Sequence, residues 1–498
     1  MSKNFIVKIF SLEYIFPFFI GVYGILNVLY AEKLPANGGL GWDGYKYAII
    51  AKDFLKSQAI DNYTIMRIFP SALVHIVFKM FQVAFTINSI IIGFEIINVI
   101  SLVITAIFLK KIFQHFDITL KNQILGFLLL FGNYANAKFA FYYPVMTDSA
   151  ALCLSTMLLY FYLKNRTINL LLISLIAGFT WPIIFYQGVL MFVFPLVHQF
   201  FQPFTKVKTI LFHAFSAHLA LLAIFYFVYI NYQFKPMLLT LPLDFDIIVY
   251  SIFSVVLMYY FFPSMLMNKL FFSKVYLKKV IDVKRVLLAV IILIGFNLLI
   301  RYLNYKGSQG LLSSNLLSDR LLYSLVKPFI TIVAHTNYFG GIVLLVIIFW
   351  KRFSITVSEY GLGIVLAFML NFYFFAEFPE SRTIINLLPW LVVFVLKAID
   401  QLNFNKFFYT VILVFNLLSS KMWLMINYAD VPVFNSDNTI GFPNQKFFMN
   451  WGPWMSVDMW KLQTIVVAFT LVVLLLILYR LDFKKGLIYS RFNNKKLE

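Results

Sequence analysis

Long apolar segments recur along almost the whole chain, with short polar loops between them. A helix that crosses a bilayer needs about 20 mostly apolar residues, because no backbone N–H or C=O group can stay unpaired in hydrocarbon. Segments that meet this rule lie near residues 9–30, 83–109, 123–142, 147–163, 209–230, 247–267, 286–303, 329–350, 357–375, 383–399, 407–428 and 461–480. The stretch 168–200 is split at Trp181-Pro182 and fits either two tilted helices or a dipping pair. We therefore predict an all-α bundle of 12–14 transmembrane helices.

The composition excludes a water-soluble protein. Only 12% of the residues are charged and 61% are hydrophobic, whereas soluble domains carry about 25% charged residues. The net charge is +20, but the basic residues lie in short runs between apolar segments, which indicates membrane orientation rather than nucleic-acid binding. Cys153 is the only cysteine, so an intramolecular disulfide and a cysteine-based metal site are excluded.

The distribution of charge predicts how the chain is oriented. Basic residues concentrate in alternate loops, and the positive-inside rule puts these loops in the cytoplasm: Lys110, Lys111, Lys121, Lys164, Arg166, Lys206, Lys208, the run 269–285, Lys351, Arg352 and the tail 480–496. Most acidic residues fall in the other loops. The first apolar run is too long for a signal peptide and is predicted to be a retained helix. We interpret the chain as one integral-membrane domain, 1–498, with both termini cytoplasmic.

Two loops on the predicted extracytoplasmic side are long, 31–82 and 429–460. The first contains an amphipathic stretch that predicts a helix lying in the membrane interface, with an apolar face of Tyr47, Ala48, Ala51, Phe54 and Leu55. The second ends in a group of tryptophans, Trp451, Trp454 and Trp460. Such rings suit either anchoring at headgroup depth or stacking on a sugar ring.

An acidic turn follows the first apolar segment. Asp43 comes after the glycine-rich stretch 38–41 and before a helical stretch, with Trp42, Tyr45 and Tyr47 around it. Asp43 is either an N-cap, which accepts hydrogen bonds from free backbone N–H groups, or a general base for an acceptor hydroxyl. Capping does not account for the three aromatic neighbours, which would contact the substrate if Asp43 is catalytic.

A second acid opens another helix on the same predicted side. Asp148 follows Pro144 and Thr147 and precedes an apolar segment. A carboxylate at the bilayer centre costs about 2.5–3.5 kcal/mol on insertion scales, so we expect Asp148 at the membrane boundary. It too could be a cap. Alternatively, Asp43 and Asp148 together bind a divalent ion or divide the roles of base and positioning group.

Arg382, Glu380 and Arg67 are the other residues that we expect to contact the substrate, and His335 is a further candidate. The planar guanidinium of Arg382 suits a phosphate or a carboxylate, and the alternative is a surface pair with Glu380. Arg67 lies in an interrupted apolar piece, 65–81, that we expect to pack on the outer face rather than to span. His335 is interpreted as a hydrogen-bonded packing residue, because a lone histidine in a helix is more often structural than catalytic.

Motifs of several common enzyme classes do not occur in the sequence. There is no P-loop glycine pattern, no His-x-x-x-His spacing and no nucleophile-elbow serine. ATP hydrolysis at a Walker site, zinc hydrolysis and serine-type acyl transfer therefore lose support. No repeat of about 20–50 residues is visible either.

Three motifs resemble those of the GT-C superfamily, multi-pass glycosyltransferases that use polyprenyl-phosphate sugars. They are Trp42-Asp43-Gly44-x-x-Tyr47-Ala48, Pro144-x-x-Thr147-Asp148-Ser149, and Glu380-x-Arg382 ahead of Leu388-Pro389-Trp390. The resemblance implies a GT-C-like fold, a catalytic acid at Asp43, a supporting or metal-contacting role for Asp148 and a lipid-phosphate contact at Arg382. Many members carry two near-adjacent acids in the first loop, whereas Asp43 has none before Asp53, which leaves metal dependence open.

The function that we expect is transfer of a sugar from a polyprenyl-phosphate donor to a hydroxyl of a glycan, lipid or protein acceptor. The reaction would take place on the outer face of a bacterial plasma (inner) membrane, among membrane lipids and without nucleic acid. No cofactor is firmly indicated, and Mg²⁺ or Mn²⁺ at the two aspartates is one option. The alternatives are a polysaccharide polymerase or ligase that uses Arg382, Arg67 and His335, a lipid-sugar flippase or transporter, and an acyltransferase.

Overall fold

The computed structural model describes residues 12–56, 61–234, 245–304, 321–427, 455 and 457–485. Its helices, numbered in chain order, are α1 (Leu12–Tyr30), α2 (Asp43–Asp53), α3 (Asn62–Ile65), α4 (Ile68–Met80), α5 (Ile87–His115), α6 (Leu120–Phe131), α7 (Ala140–Tyr142), α8 (Asp148–Leu163), α9 (Thr167–Gly178), α10 (Pro182–Val193), α11 (Lys206–Phe234), α12 (Phe245–Phe261), α13 (Lys274–Val280), α14 (Val283–Leu303), α15 (Ile330–Phe339), α16 (Gly341–Ile348), α17 (Trp350–Glu359), α18 (Leu362–Glu377), α19 (Leu388–Ile399), α20 (Lys406–Ser420) and α21 (Val457–Lys485).

Shorter helical turns connect these elements. They are 3₁₀ segments at Ala36–Gly39, Phe54–Lys56, Phe262–Leu266, Lys269–Phe272 and Ser381–Leu387, and a π-helical turn at Ala135–Phe139. No β-strand occurs in the described ranges, so the predicted all-α class is confirmed there. Both chain ends, and Trp451 and Trp454 of the second long loop, lie outside the described residues.

Helix length separates full spans from partial ones. Within the described ranges, six stretches are long and apolar enough to cross a membrane: Ile87–His115, Lys206–Phe227, Ile247–Leu266, Val283–Leu303, Ser381–Ile399 and Met459–Arg480. Two pairs qualify together but are bent, by 54° where α6 meets Ala135–Tyr142 and by 85° where α16 meets α17. Other apolar helices have 10–17 residues; at 1.5 Å per residue these are shorter than the ~30 Å hydrocarbon core.

Within the described residues, the fold is thus a helical bundle in which six to eight helices meet the length criterion, whereas 12–14 were predicted for the whole chain. Bends and breaks shorten several of the predicted segments, for example at the two bent pairs. The ambiguous stretch 168–200 forms two separate helices, α9 and α10, which pack against each other on either side of Trp181. Each has 12 residues.

An enclosed core and an exposed periphery divide the bundle. Trp390 of α19 is fully buried, and its indole N–H donates to the carbonyl of Ser155 on α8 over 3.1 Å. In contrast, α11 and α14 expose much of their apolar surface. Large exposed apolar surfaces are unfavourable in water but are the normal surface of a helix that faces lipid.

Hydrogen bonds tie several segments together at one end of the bundle, which we call the upper end and which the charge pattern predicts to be extracytoplasmic. The Leu34 N–H donates to the Tyr142 carbonyl over 2.8 Å. The Asn98 side chain donates to the carbonyls of Ala140 and Pro144, both at 2.9 Å. These bonds fix the chain that leads from α7 into α8, and with it the position of Asp148.

The first long loop begins with the predicted interfacial helix, α2. Tyr47, Ala48 and Ala51 are buried as expected, whereas Leu55 is about half exposed. Helix α4 packs on α2: the Ser71 hydroxyl donates to the Tyr47 carbonyl over 3.1 Å. The apolar piece that was expected to lie on the outer face is therefore a 13-residue helix that covers α2.

Candidate functional site

Charged residues from four distant parts of the sequence meet at the upper end. A nitrogen of Arg382 lies 2.6 Å from Oδ2 of Asp43, in a salt bridge that joins residues 339 positions apart. The Nε–H of the same guanidinium donates to Glu380, and its third nitrogen lies 3.6 Å from the sulfur of Met146. The two predicted motifs that contain Asp43 and Arg382 are therefore in direct contact.

The turn before Asp43 can form only because its glycines are small. Gly41 has a φ of +70°, which strains other residues, and a Cβ there would lie 2.2 Å from the Tyr143 ring. A Cβ on Gly44 would lie 2.7 Å from the Val145 carbonyl oxygen. The Gly44 N–H also donates weakly to the Tyr143 hydroxyl, over 3.3 Å. The acidic turn therefore lies directly on the segment that leads to Asp148.

Asp43 is not an N-cap. It is the first residue inside α2, Trp42 occupies the cap position, and no side chain caps this helix. A carboxylate in the first turn is still favoured by the helix dipole. Its specific partner, however, is the guanidinium of Arg382, so the capping interpretation is wrong for this residue.

The surroundings of Asp43 keep it ionised. Burial alone would raise its pKa, but the charge and hydrogen bond of Arg382, with smaller effects from Arg67 and Lys46, lower the pKa of Asp43 below its usual range. The side chain is still 30% exposed. Arg382 contacts Oδ2, so the carboxylate has a second oxygen with which it can accept a hydrogen bond from a hydroxyl.

Asp148 presents the opposite situation. It is the first residue inside α8, is only 7% exposed, and makes no capping bond, since Thr147 occupies the cap position without one. Neither carboxylate oxygen has a hydrogen-bond partner among the described residues. The capping interpretation is wrong here too. Arg382, Arg67 and Asp43 are nevertheless close enough to influence its ionisation.

The guanidinium of Arg67 makes cation–π contacts with aromatic rings and no salt bridge with a described acid. Its guanidinium carbon lies 4.6 Å from the ring centre of Tyr63 and 4.0 Å from that of Trp181. One nitrogen lies 3.4 Å from the Thr147 hydroxyl, at the limit of a hydrogen bond. No described carboxylate lies within salt-bridge distance of Arg67, although Asp43 and Asp148 both feel its charge.

Local structure explains why Arg67 and Trp181 meet. A capping box between Asp61 and Thr64 sets the short helix α3, and α4 begins directly after Arg67. The Phe69 N–H then donates to the Phe179 carbonyl over 2.9 Å, which brings the turn between α9 and α10 against the start of α4. The Trp181-Pro182 sequence that splits the segment 168–200 thus supplies a ring of the site.

The three aromatic residues that were predicted to contact the substrate lie in three different environments. Tyr47 is fully buried next to the charged cluster, its hydroxyl has no hydrogen-bond partner among the described residues, and burial raises its pKa. Trp42 packs edge-on against Tyr143 with ring centres 6.2 Å apart. Tyr45 is about half exposed. Because two residues correspond to about 200° around a helix, Tyr45 and Tyr47 point in nearly opposite directions.

His335 has the environment of a packing residue. Its Nδ1 lies 2.9 Å from the Ser381 hydroxyl and its Nε2 lies 2.9 Å from the Phe375 carbonyl oxygen. The ring is fully buried. With both nitrogens engaged, His335 holds α15 against the turn that carries Arg382.

Sequence reasoning did not assign roles to Tyr63, Tyr143 or Trp181. Tyr143 directly precedes the Pro144 motif, and only its contact with Gly41 and Gly44 shows that its ring packs on the acidic turn. Trp181 was noted only as a helix break. No signal in the sequence links Tyr63 and Trp181 to Arg67, since that cluster depends on how α4 packs against the turn between α9 and α10.

A closed metal site does not fit the side chains at the upper end. In the described part of the chain, no three His, Cys, Asp or Glu side chains are grouped so that they could hold one ion. Oδ2 of Asp43 is already paired with the guanidinium of Arg382, so a metal ion would compete with Arg382 for that oxygen.

Two apolar cavities lie within the bundle. One has a volume of about 320 Å³ and extends along α12, α16 and α18 to Leu387, at the end of the 3₁₀ turn that carries Arg382. The other, of about 880 Å³, lies between α20 and α21 and reaches Lys421 and Trp423. Both volumes fall within the range of ligand pockets, roughly 300–1,000 Å³.

The fold and the site define a multi-pass helical membrane protein with a charged cluster at one end. The chain matches no protein family, no curated protein and no solved structure. The resemblance to the GT-C superfamily therefore rests on the three sequence motifs alone.

Proposed function

We propose that the protein is a membrane glycosyltransferase that moves a sugar from a polyprenyl-phosphate donor to an acceptor hydroxyl. The observation that carries the proposal is the convergence of three carboxylates and two arginines, from three motifs and the first long loop, at one end of a lipid-embedded bundle. A reaction between a lipid-linked anion and a hydroxyl needs both a base and positive charge.

In the proposed reaction, the second oxygen of Asp43 accepts the proton of the acceptor hydroxyl. The acceptor oxygen attacks the anomeric carbon of the donor, and the bond from that carbon to the phosphate oxygen breaks. The phosphate leaves with the electron pair as polyprenyl phosphate. Arg67 and Arg382 supply the positive field that stabilises its developing charge, and Asp43 later releases its proton to water.

The lowered pKa of Asp43 keeps the proposed base in its ionised form, although it also lowers the proton affinity of the carboxylate. At neutral pH the carboxylate is ionised and ready to accept a proton, and Arg382 fixes its orientation through one oxygen. One residue of the 3₁₀ turn that carries Arg382, Leu387, lines the apolar cavity of about 320 Å³. That cavity is the part of the bundle that we assign to the polyprenyl tail of the donor.

A panel of labelled donors tests the proposal. Purified full-length protein in lipid nanodiscs is incubated with labelled polyprenyl-phosphate sugars and a cell-envelope acceptor fraction, and transferred label and released polyprenyl phosphate are measured. We expect Asp43→Asn to lower turnover by about 10²–10⁴-fold, the usual contribution of a general base. Asp53→Asn is the matched control, because Asp53 lies at the other end of the same helix and is exposed.

Two results would contradict the proposal. One is label transfer by Asp43→Asn at the rate of the Asp53→Asn protein. The other is that no polyprenyl-phosphate sugar in the panel serves as a donor while pyrophosphate-linked oligosaccharides do, which would favour the polymerase or ligase. Movement of the lipid across the nanodisc without covalent transfer would instead favour a flippase.

A further inference from the structure

The two arginines of the site are occupied very differently. The guanidinium of Arg382 contacts Asp43, Glu380 and the sulfur of Met146. Arg67 has aromatic contacts and one long hydrogen bond to Thr147. We name Asp43, Glu380 and Arg382 the paired half of the site, and Arg67 and Asp148 the open half.

We propose that Arg67 binds the donor phosphate and that Arg382 is a positioning residue for Asp43. This inference rests on the proposed function, and it moves the lipid-phosphate contact from the residue that the GT-C resemblance implies to the open half. A phosphate that bound Arg382 would have to displace Asp43 or Glu380 from it. A phosphate at Arg67 displaces no carboxylate.

Arg67 keeps most of its hydrogen-bonding capacity. A guanidinium carries five N–H donors, and the only hydrogen bond of the Arg67 side chain among the described residues is the long one to Thr147. The rings of Tyr63 and Trp181 hold the group in place through cation–π contacts. A planar fork of this kind can donate two parallel hydrogen bonds to two phosphate oxygens, which is the strong arrangement for phosphate recognition.

Asp148 completes the open half as a contact for the donor sugar. Its two carboxylate oxygens are buried and have no hydrogen-bond partner among the described residues, an arrangement that is costly until a ligand satisfies it. A bare anion there would repel a phosphate on Arg67, so we expect Asp148 to meet the donor with a hydroxyl hydrogen-bonded to it. The open half thus suits a ligand that carries a phosphate next to several hydroxyls.

A binding measurement without chemistry tests the assignment. Full-length protein in nanodiscs is titrated with polyprenyl monophosphate, with the uncharged polyprenol and with inorganic phosphate as competitor. We expect wild-type protein to bind the monophosphate about 10–100-fold more tightly than the polyprenol, as for a bidentate charged contact. Arg67→Gln should bind both lipids equally. Arg382→Gln should keep the preference for the monophosphate while it loses turnover.

A second variant guards against loss of folding. Tyr63 is 39% exposed, so Tyr63→Leu removes one ring from Arg67 with little effect on the core. It should weaken monophosphate binding by about twofold to fivefold, the range of one exposed cation–π contact. In every variant, unchanged binding of polyprenol reports that the bundle is intact.

Each outcome separates this inference from the proposed function. If wild-type protein binds monophosphate and polyprenol equally, both are wrong. If it prefers the monophosphate and Arg67→Gln retains that preference, only the assignment to Arg67 is wrong. If only Arg382→Gln loses the preference for the monophosphate, the phosphate contact belongs to Arg382 in the paired half. If inorganic phosphate competes at concentrations similar to those of polyprenyl monophosphate, the site recognises a free phosphate instead of a lipid.

Discussion

The paired half and the open half of the site use the same residue types to opposite effect. Each contains an arginine and an aspartate that is the first residue of a helix. In the paired half, Arg382 holds Asp43 in one orientation and keeps it ionised. In the open half, Arg67 and Asp148 do not contact each other, and both keep hydrogen-bonding capacity. We propose that this contrast reflects two roles, proton transfer in the paired half and ligand binding in the open half.

A similar contrast exists between the core and the periphery. Helices α8 and α19 are enclosed and fix the turns of the site, whereas α11 and α14 mainly present apolar side chains to lipid. Closely packed interiors transmit small displacements, because their side chains have few voids to move into. We therefore expect changes near the site to act through position as well as through charge.

Apart from the loss of Asp43 itself, removal of the guanidinium from the paired half should have the largest effect on turnover. Arg382→Gln leaves Asp43 without its fixed partner, and we expect turnover to fall by about 10²-fold, since misplaced catalytic groups cost this much. Arg382→Lys should recover part of the loss because it restores the charge without the planar fork. Single-turnover rates with saturating donor measure both variants.

The pH dependence of turnover distinguishes positioning from a purely structural role. Arg382 lowers the pKa of Asp43, so in the wild-type protein the base stays ionised and active down to a pH below the usual range of an aspartate. In Arg382→Gln that pKa rises, and the acidic limb of the profile should move to higher pH. The stability that the pair contributes should likewise be present at neutral pH and be lost as pH falls through the folded-state pKa of Asp43. An acidic limb at the same pH in both proteins would contradict the role of Arg382.

Substitution of Gly41, in the turn before Asp43, should have an effect of intermediate size, on the stability of the fold. Gly41→Ala adds a Cβ at a positive φ and against the Tyr143 ring, and we expect it to destabilise the protein by about 1–3 kcal/mol. Gly295→Ala is the matched control, since nothing lies within 4 Å of a Cβ there. Thermal unfolding in nanodiscs measures both. Equal unfolding midpoints for the two variants would show that position 41 tolerates a side chain at its positive φ.

The smallest effect is expected from Tyr45. Its ring is exposed and points away from Tyr47, so Tyr45→Ala should change turnover by less than about twofold, as expected for a surface substitution. Steady-state kinetics with the donor that wild-type protein uses provide the measurement. A loss as large as that of Arg382→Gln would show that the exposed face of α2 contacts the substrate.

The sequence predicts the helical class and several members of the site, because apolar length and helix-opening acids are local signals. Asp43 and Arg382 were both chosen from their own neighbours, and the structure brings them into contact. The bends after α6 and α16 were not predicted, because the apolar pattern continues across both breaks. The surroundings of Arg67 could not be predicted, because Trp181 reaches it only through the contact of α4 with another helix pair.

We propose that the Asp43 carboxylate abstracts the acceptor proton during sugar transfer from a lipid phosphate. The single-turnover rate of label transfer from a saturating polyprenyl-phosphate sugar, compared between Asp43→Asn and Asp53→Asn in the same nanodiscs, tests this role without interference from donor binding. We expect normal donor binding by both proteins and transfer slowed by about 10²–10⁴-fold only in Asp43→Asn. Equal transfer rates in the two proteins would show that Asp43 is not the base.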